Sequence, residues 1–205
     1  MGKTMTATAY GRTAPVLGEA LFGAGEGAAL WAKRAALVAA GVFVLAAASK
    51  LRIPLAPVPV TMQTFAVLAV GAAYGPRLGL ATVALWLALG AAGANVFAGA
   101  EQTGLAYMSG ATGGYLAGFA LAAAALGFLA RRGWDRSPAT MAGAMAIGNA
   151  LIYAPGLLWL GKVYGFDAPV LDWGLYPFLA GDALKLAAAA IIFPAAWRFV
   201  GDARG

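Results

Sequence analysis

The chain has 205 residues, of which 62% are hydrophobic and only 11% charged, with a formal net charge of +6. A soluble domain carries about 25% charged residues, so these polar side chains cannot cover a water-exposed surface, and the chain reads as an all-α integral membrane protein without room for a separate soluble domain. It has no cysteine and no histidine, which removes disulfides, thiolate nucleophiles, imidazole metal ligands and the usual general base, and so excludes Ser-His proteases, HExxH metalloproteases and cytochromes.

Residues 1–30 are polar and rich in Gly and Ala, with no continuous apolar core. They are expected to form a loosely ordered cytoplasmic tail rather than a secretory leader. A bilayer-spanning helix takes about 17–25 apolar residues. Six spans are predicted, over residues 31–49, 60–74, 78–94, 113–130, 139–160 and 176–200, followed by a C-terminal tail at 201–205.

Between the first two spans lies Ile53-Pro54-Leu55-Ala56-Pro57-Val58-Pro59-Val60. Its prolines remove backbone donors and disfavour the α region before them, so it is expected to be an extended apolar loop, either a lid or a plain connector. Gly75-Pro76-Arg77 marks a tight turn between the second and third spans. A Gly-rich loop covers 95–112. Ser137-Pro138 supplies an N-cap and an N1 proline for the fifth span. That span carries Asn149, either a tie between helices or a pocket residue.

The sixth span holds Asp182 and Lys185. Three residues apart, they project from one side of a helix. Ionisable groups inside a membrane are costly and mark function by default. The alternative is a self-neutralising pair that ties helices together.

Basic residues are asymmetric along the chain. One set of segments holds Lys3, Arg12, Lys33, Arg34, Arg77, Arg131, Arg132, Arg136, Arg198 and Arg204; the opposite loops hold Lys50, Arg52 and Lys162. The positive-inside bias therefore puts both termini in the cytoplasm. It also places the Pro-rich loop, the Gly-rich loop, residues 161–175 and the Asp182–Lys185 pair toward the outer side. The net positive charge is then a record of orientation, and no nucleic-acid partner is expected.

The first span repeats small residues, Ala32, Ala36 and Ala40, at four-residue spacing. Such rows let backbones approach closely in lipid. They serve either docking of another membrane protein or packing within the bundle. No GxxxxGK[ST] loop is present, so the chain has no ATP-binding site of that kind. The polar loops and the charged pair together describe a small-molecule pocket open to the outside. No metal site and no cofactor are expected.

Four motifs carry a family resemblance. Pro57-Val58-Pro59-Val60-Thr61-Met62-Gln63-Thr64 resembles the P-x-P-[VI]-T-x-Q-T run of the BioY family, the biotin-specific S components of energy-coupling-factor transporters. Gly75-Pro76-Arg77-Leu78-Gly79 resembles that family's second turn. Gly93-Ala94-Asn95-Val96-Phe97-Ala98-Gly99, with Tyr107 and Gly110 to Leu116, resembles its G-x-PVFAGG…GPTGGY block. Pro177 to Lys185 resembles its PF-x-x-GD-x-x-K ending. Asn95 and Ala111 stand where the family has proline, and both departures bear on loop stiffness.

The resemblance spans roughly residues 35–200. It implies the S-component fold, with six helices in the bacterial inner membrane, and a protein that captures biotin rather than an enzyme. It also implies a transmembrane coupling protein and ABC ATPases as partners, docked through Ala36 and Ala40, with Ala32 next. Whether the chain also forms a homo-oligomer is left open. Biotin's ureido ring offers two N–H donors and a carbonyl. Asp182 is expected to accept from an N–H and Lys185 to donate to the carbonyl, with Asn95, Gln63, Thr61 and Tyr115 as further polar contacts. Lys50, Arg52 or loop N–H groups would hold the valerate carboxylate. Competing readings are an S component for another vitamin, a carrier acting without ATPases, and an intramembrane enzyme.

Overall fold

The computed structural model describes residues 14–22, 27–99 and 103–202. The chain is a multi-pass membrane protein. Among the described residues, five helical segments are long and apolar enough to cross a bilayer: Gly27–Lys50, Gln63–Ala91, Gly113–Ala130, Pro138–Tyr164 and Val170–Gly201. The elements run α1 (Leu17–Phe22), α2 (Gly27–Lys50), β1 (Arg52–Ile53), β2 (Val60–Thr61), α3 (Gln63–Ala91), α4 (Gly104–Ser109) and α5 (Gly113–Ala130). A 3₁₀ turn (Trp134–Arg136), α6 (Pro138–Tyr164), α7 (Val170–Gly174) and α8 (Tyr176–Asp202) complete the fold.

The α3 segment is not one straight helix. Gly75 breaks it with φ 82° and ψ 174°, a backbone region that L side chains avoid and glycine adopts freely. Pro76 then opens the second arm, where a missing N–H costs nothing. A Cβ on Gly79 would lie 3.0 Å from the Gly71 Cα. Eight residues along a straight helix span about 12 Å, so the arms 63–74 and 76–91 fold back on each other. These arms correspond to the second and third predicted spans.

The centre of the bundle is α3 against α5 and α5 against α6. Close backbone approach makes this possible: a Cβ on Gly71 would sit 2.8 Å from the Ala123 Cα. Trp86, Leu68, Leu126, Met141, Met145 and Ile152 are completely or almost completely buried there. By contrast α2 is peripheral. Only 17% of its apolar window is buried, against 56% for α3 and α5, so most of its surface faces outward.

Ser137 caps α6 as expected, its hydroxyl accepting from the Thr140 N–H at 3.3 Å, with Pro138 in the first turn. Two expectations change. The Pro-rich run is not merely a loop, because its ends pair as an antiparallel ribbon, Arg52 with Thr61 and Ile53 with Val60. The pairing uses non-proline residues flanking Pro54, Pro57 and Pro59, which keep their N–H groups. The bundle is therefore predominantly, not purely, helical.

The second change concerns the N-terminal segment. Residues 1–13 and 23–26 lie outside the described residues, but 14–22 are not loose. Val16 is fully buried against the Gly75 bend. The Ala14 N–H donates to the Arg131 carbonyl at 3.0 Å, and Arg131 forms a two-pronged ion pair with Glu19. A lone valine in a polar stretch carries no periodic signal, so its burial was not legible in sequence.

Near the same end, Asp135 is buried in the connector between α5 and α6. Its Oδ2 accepts from the Trp197 indole N–H at 2.6 Å, while Oδ1 has no partner. Burial pushes its carboxyl above the usual carboxylate range, opposed by the Trp197 bond and the Arg136 charge. A raised folded-state pKa adds stability at low pH that is lost as pH rises through it. Asp135→Asn keeps an acceptor for Trp197 and removes the charge. In detergent its melting temperature should exceed that of wild type at about pH 7.5, with the gap closing toward about pH 4. A pH-independent gap would refute the assignment.

Candidate ligand-binding site

The site forms at the end of the bundle that carries the β1–β2 ribbon. One stripe of α8 faces inward there: Phe178, Asp182, Lys185, Ala189 and Phe193 are all buried. Their spacing of three to four residues is that of one helix face. Asp182 is 4% and Lys185 9% exposed.

The two charges are paired, with Lys185 Nζ 2.7 Å from Asp182 Oδ1. The ammonium also donates to the Thr61 carbonyl at 2.8 Å and to Thr64 Oγ1 at 2.9 Å. An ammonium has three N–H donors, so each is engaged. The Thr64 hydroxyl in turn donates to Asp182 Oδ1 at 3.2 Å, and the Tyr153 hydroxyl donates to Asp182 Oδ2. Both carboxylate oxygens are thus satisfied, as a buried pair requires. Thr61 can offer its carbonyl because it precedes α3 and owes no bond to that helix.

Beside this network lies a cavity of about 30 Å³, lined by Val58, Pro59, Thr61, Gln63, Thr64, Tyr107, Thr112, Tyr115, Leu116, Phe119, Tyr153 and Phe178. That volume holds about two water molecules. Its polar pole is the start of α3 with Tyr153. Its walls are aromatic: Tyr115 stacks near-parallel to Phe178 with centroids 6.4 Å apart, and both meet Tyr153 edge-on. Val58 and Pro59 form part of the lining from the ribbon loop, which makes that loop a cover rather than a plain connector.

Thr61 and Gln63, two of the expected polar contacts, line the cavity. Asp182 and Lys185 sit one layer behind it, reached through Thr64 and Tyr153. Tyr115 contributes its ring, but its hydroxyl is committed to the Gly174 carbonyl at 2.8 Å. Asn95 is exposed and outside the cavity, with Oδ1 accepting from Lys50 Nζ at 2.7 Å. Lys50 also donates to the Phe97 carbonyl at 2.6 Å, and Arg52 donates to the Ala98 carbonyl. These two cations, two of the candidates for holding the ligand carboxylate, strap the 95–98 loop to the ribbon. Phe97 packs edge-on against Trp86 and stacks on Tyr107, both at 5.0 Å. Asn149 is half-buried on α6 and does not line the cavity.

Sequence reasoning did not single out Thr64 or Tyr153. Thr64 belonged to the quoted motif, yet nothing local marked its hydroxyl as a bridge. Tyr153 gave no signal at all, since an aromatic residue mid-span reads as packing. On α2, Ala32, Ala36 and Ala40 are all exposed, so this row does not pack inside the bundle.

The BioY family model matches residues 19–202. A probable biotin transporter BioY from Pyrococcus horikoshii is 35% identical over 161 residues, covering 78% of this chain and 94% of that protein. The biotin transporter BioY of Thermotoga maritima is 35% identical over 158 residues, covering 76% and 92%. Among solved structures, the S-component for biotin from an ECF-type ABC transporter superposes with a TM-score of 0.70 at 22% identity, over 85% of this chain and 95% of that one. The fold is therefore that of an S component, and with nearly its whole length matched, the chain belongs to the BioY family.

Proposed function

We propose that this protein is the biotin-capturing S component of an energy-coupling-factor transporter in the bacterial cytoplasmic membrane. It crosses the bilayer six times, the arms of α3 counting as two crossings, with both termini in the cytoplasm. Residues 31–200 form the membrane domain, with short tails at either end. Its partners are a transmembrane coupling protein and ABC ATPases. The protein carries out no chemical reaction on its ligand.

The observation that carries this reading is the buried Asp182–Lys185 network at the edge of an aromatic cavity. A bicyclic urea needs an acceptor for N–H, a donor for its carbonyl and apolar walls for its rings and tail. Asp182 supplies the acceptor when a ligand N–H replaces the Tyr153 or Thr64 hydroxyl. Charge-assisted bonds of this kind are strong, and stronger in a dry pocket. Lys185, with its donors engaged, holds the carboxylate in place. Tyr115 and Phe178 supply the walls.

The present cavity volume requires the 54–59 cover and the Phe97 loop to move outward as biotin enters. Below the cavity, Leu68, Leu126 and Met145 fill the bundle, each at most 1% exposed. Among the described residues, these side chains close the way from the cavity toward the other end. Release on the cytoplasmic side therefore requires the whole protein to be reoriented, and this chain carries no GxxxxGK[ST] loop to drive that. A coupling partner docked on α2, the least buried of the five long apolar segments, supplies the force.

The test is calorimetric titration of the purified protein with biotin, thiamine and riboflavin, with biotin uptake measured in cells with and without the coupling protein and ATPases. Tight binding of biotin alone, and uptake that requires the partners, is expected. Uptake without them would make the protein an independent carrier. Selective binding of another vitamin would overturn the ligand.

A further inference from the structure

The flank of the bundle holds a second hollow, apart from the ligand cavity. It is a groove of about 430 Å³ between the ribbon-side half of α2 and the first arm of α3, with Phe193 of α8 also lining it. Its floor is buried: Ala48, Ala66, Val70 and Phe193 are each at most 8% exposed. Its rim is open, with Phe43 74% and Leu51 64% exposed. A Cβ on Gly41 would lie 2.6 Å from Thr82 Cγ2 and 3.0 Å from Tyr74 Cε2. So α2 packs close to α3 at that turn, and the groove opens beyond it. Among the described residues that line it, Tyr74 alone carries a hydroxyl, amide or charge. A buried water needs two to four polar partners, so this is no water site. Its long walls belong to helices that cross the membrane, and it opens onto hydrocarbon.

We propose that this groove binds one acyl chain of a membrane phospholipid, whose phosphate meets Arg52 at the groove's mouth. Length, width and charge select this occupant. From Phe43 to Leu51 the wall is about 12 Å long, and from Met62 to Tyr74 about 18 Å, at about 1.5 Å per residue. One leaflet supplies about half of a hydrocarbon core of about 30 Å, so the groove has the depth of a single leaflet. A helix about 10–12 Å across would fill about 1,000 Å³ over even the shorter wall, more than twice this volume. A partner's helix, or one from a second copy, is therefore too thick to enter. Arg52 follows Leu51 at the rim and is exposed. Among the described residues its guanidinium donates only to the Ala98 carbonyl. That uses one of five N–H donors, and the remaining fork suits a phosphate. The Met62 N–H donates to the Leu51 carbonyl at 3.1 Å, so the residues at the mouth also close the base of the β1–β2 ribbon. A lipid seated here braces the loop that covers the ligand cavity. The inference needs only that the chain spans a bilayer, whatever its transported ligand.

The experiment strips the purified protein of lipid in neutral detergent and titrates it with palmitoyl-oleoyl-phosphatidylglycerol. Native mass spectrometry counts bound lipid, and melting temperature reports its effect. Wild type should take up one lipid saturably and melt at a higher temperature with it. Ala69→Phe and Ala47→Phe each place a ring in the groove, from opposite walls. Each should weaken lipid binding about tenfold or more, because ring and chain cannot share one close-packed volume. Arg52→Gln should weaken it about fivefold, the effect of one cation on an anionic lipid. Glycerol 3-phosphate, a headgroup without chains, should neither bind nor raise the melting temperature. Lipid that partitions without saturating, or binding that survives both phenylalanine variants, would overturn the proposal. Glycerol 3-phosphate binding as tightly as the lipid would reduce the site to a phosphate contact and overturn it too. So would a dimer that both variants dissociate, since a second copy would then cover the groove.

Discussion

Replacing Asp182 with asparagine is expected to weaken biotin binding by about 100-fold or more. Asp182 accepts from Lys185, Thr64 and Tyr153, and among the described residues it is the one carboxylate beside the cavity. An amide presents a single acceptor oxygen and turns two N–H donors toward groups that are themselves donors. A hydrogen bond to a charged group contributes about 1.5–3 kcal/mol, and each 1.4 kcal/mol is about tenfold in affinity. The same substitution leaves the Lys185 ammonium buried without its counter-charge, which costs about 3–5 kcal/mol of stability. The double variant Asp182→Asn with Lys185→Met removes that burden. It should melt at a higher temperature than the single variant and still fail to bind. Titration calorimetry and thermal melts in detergent separate the two effects. Near-wild-type affinity in either variant would show that Asp182 does not touch the ligand.

The second large effect is expected far from the cavity. Tryptophan at both Ala36 and Ala40 should abolish biotin uptake while changing biotin affinity by no more than about twofold. These residues lie on the exposed side of α2 and line no part of the cavity, and distant sites act nearly independently. Small residues permit close helix approach in lipid, where packing rather than hydrophobicity drives association. Two indoles on that face would hold a partner helix several ångströms away. Co-purification of the coupling protein with the variant, together with uptake in whole cells, reads the outcome. Uptake at wild-type rates would eliminate this face as the docking surface.

Much of the fold was legible because its signals are local. Apolar runs of about 17–25 residues, the Gly75-Pro76 turn and the Ser137-Pro138 cap each act within a turn or a span of their own position. Helix ends accordingly fell within a few residues of the expected ones. The Asp182–Lys185 relation was legible for the same reason, since i, i+3 neighbours share a helix face whatever the tertiary fold. The buried Val16 was not, because a single valine contributes no periodicity. The ribbon at 52–61 was missed because two paired steps are too short to register as an alternating strand.

The polar site divides along the same line. By itself the sequence determined that this is a helical membrane protein, that Asp182 and Lys185 are its conspicuous buried charges, and that they stand together on one helix face. Only the tertiary structure decided what they meet. Thr64 reaches Asp182 across 118 residues and Tyr153 across 29, and no local pattern encodes such pairings. The long-range fold also sent Asn95 to Lys50 and the Tyr115 hydroxyl to Gly174. A side chain's chemistry is set by its type, but whether its hydrogen bonds are free for a ligand depends on which neighbours the packing brings within 3 Å or so.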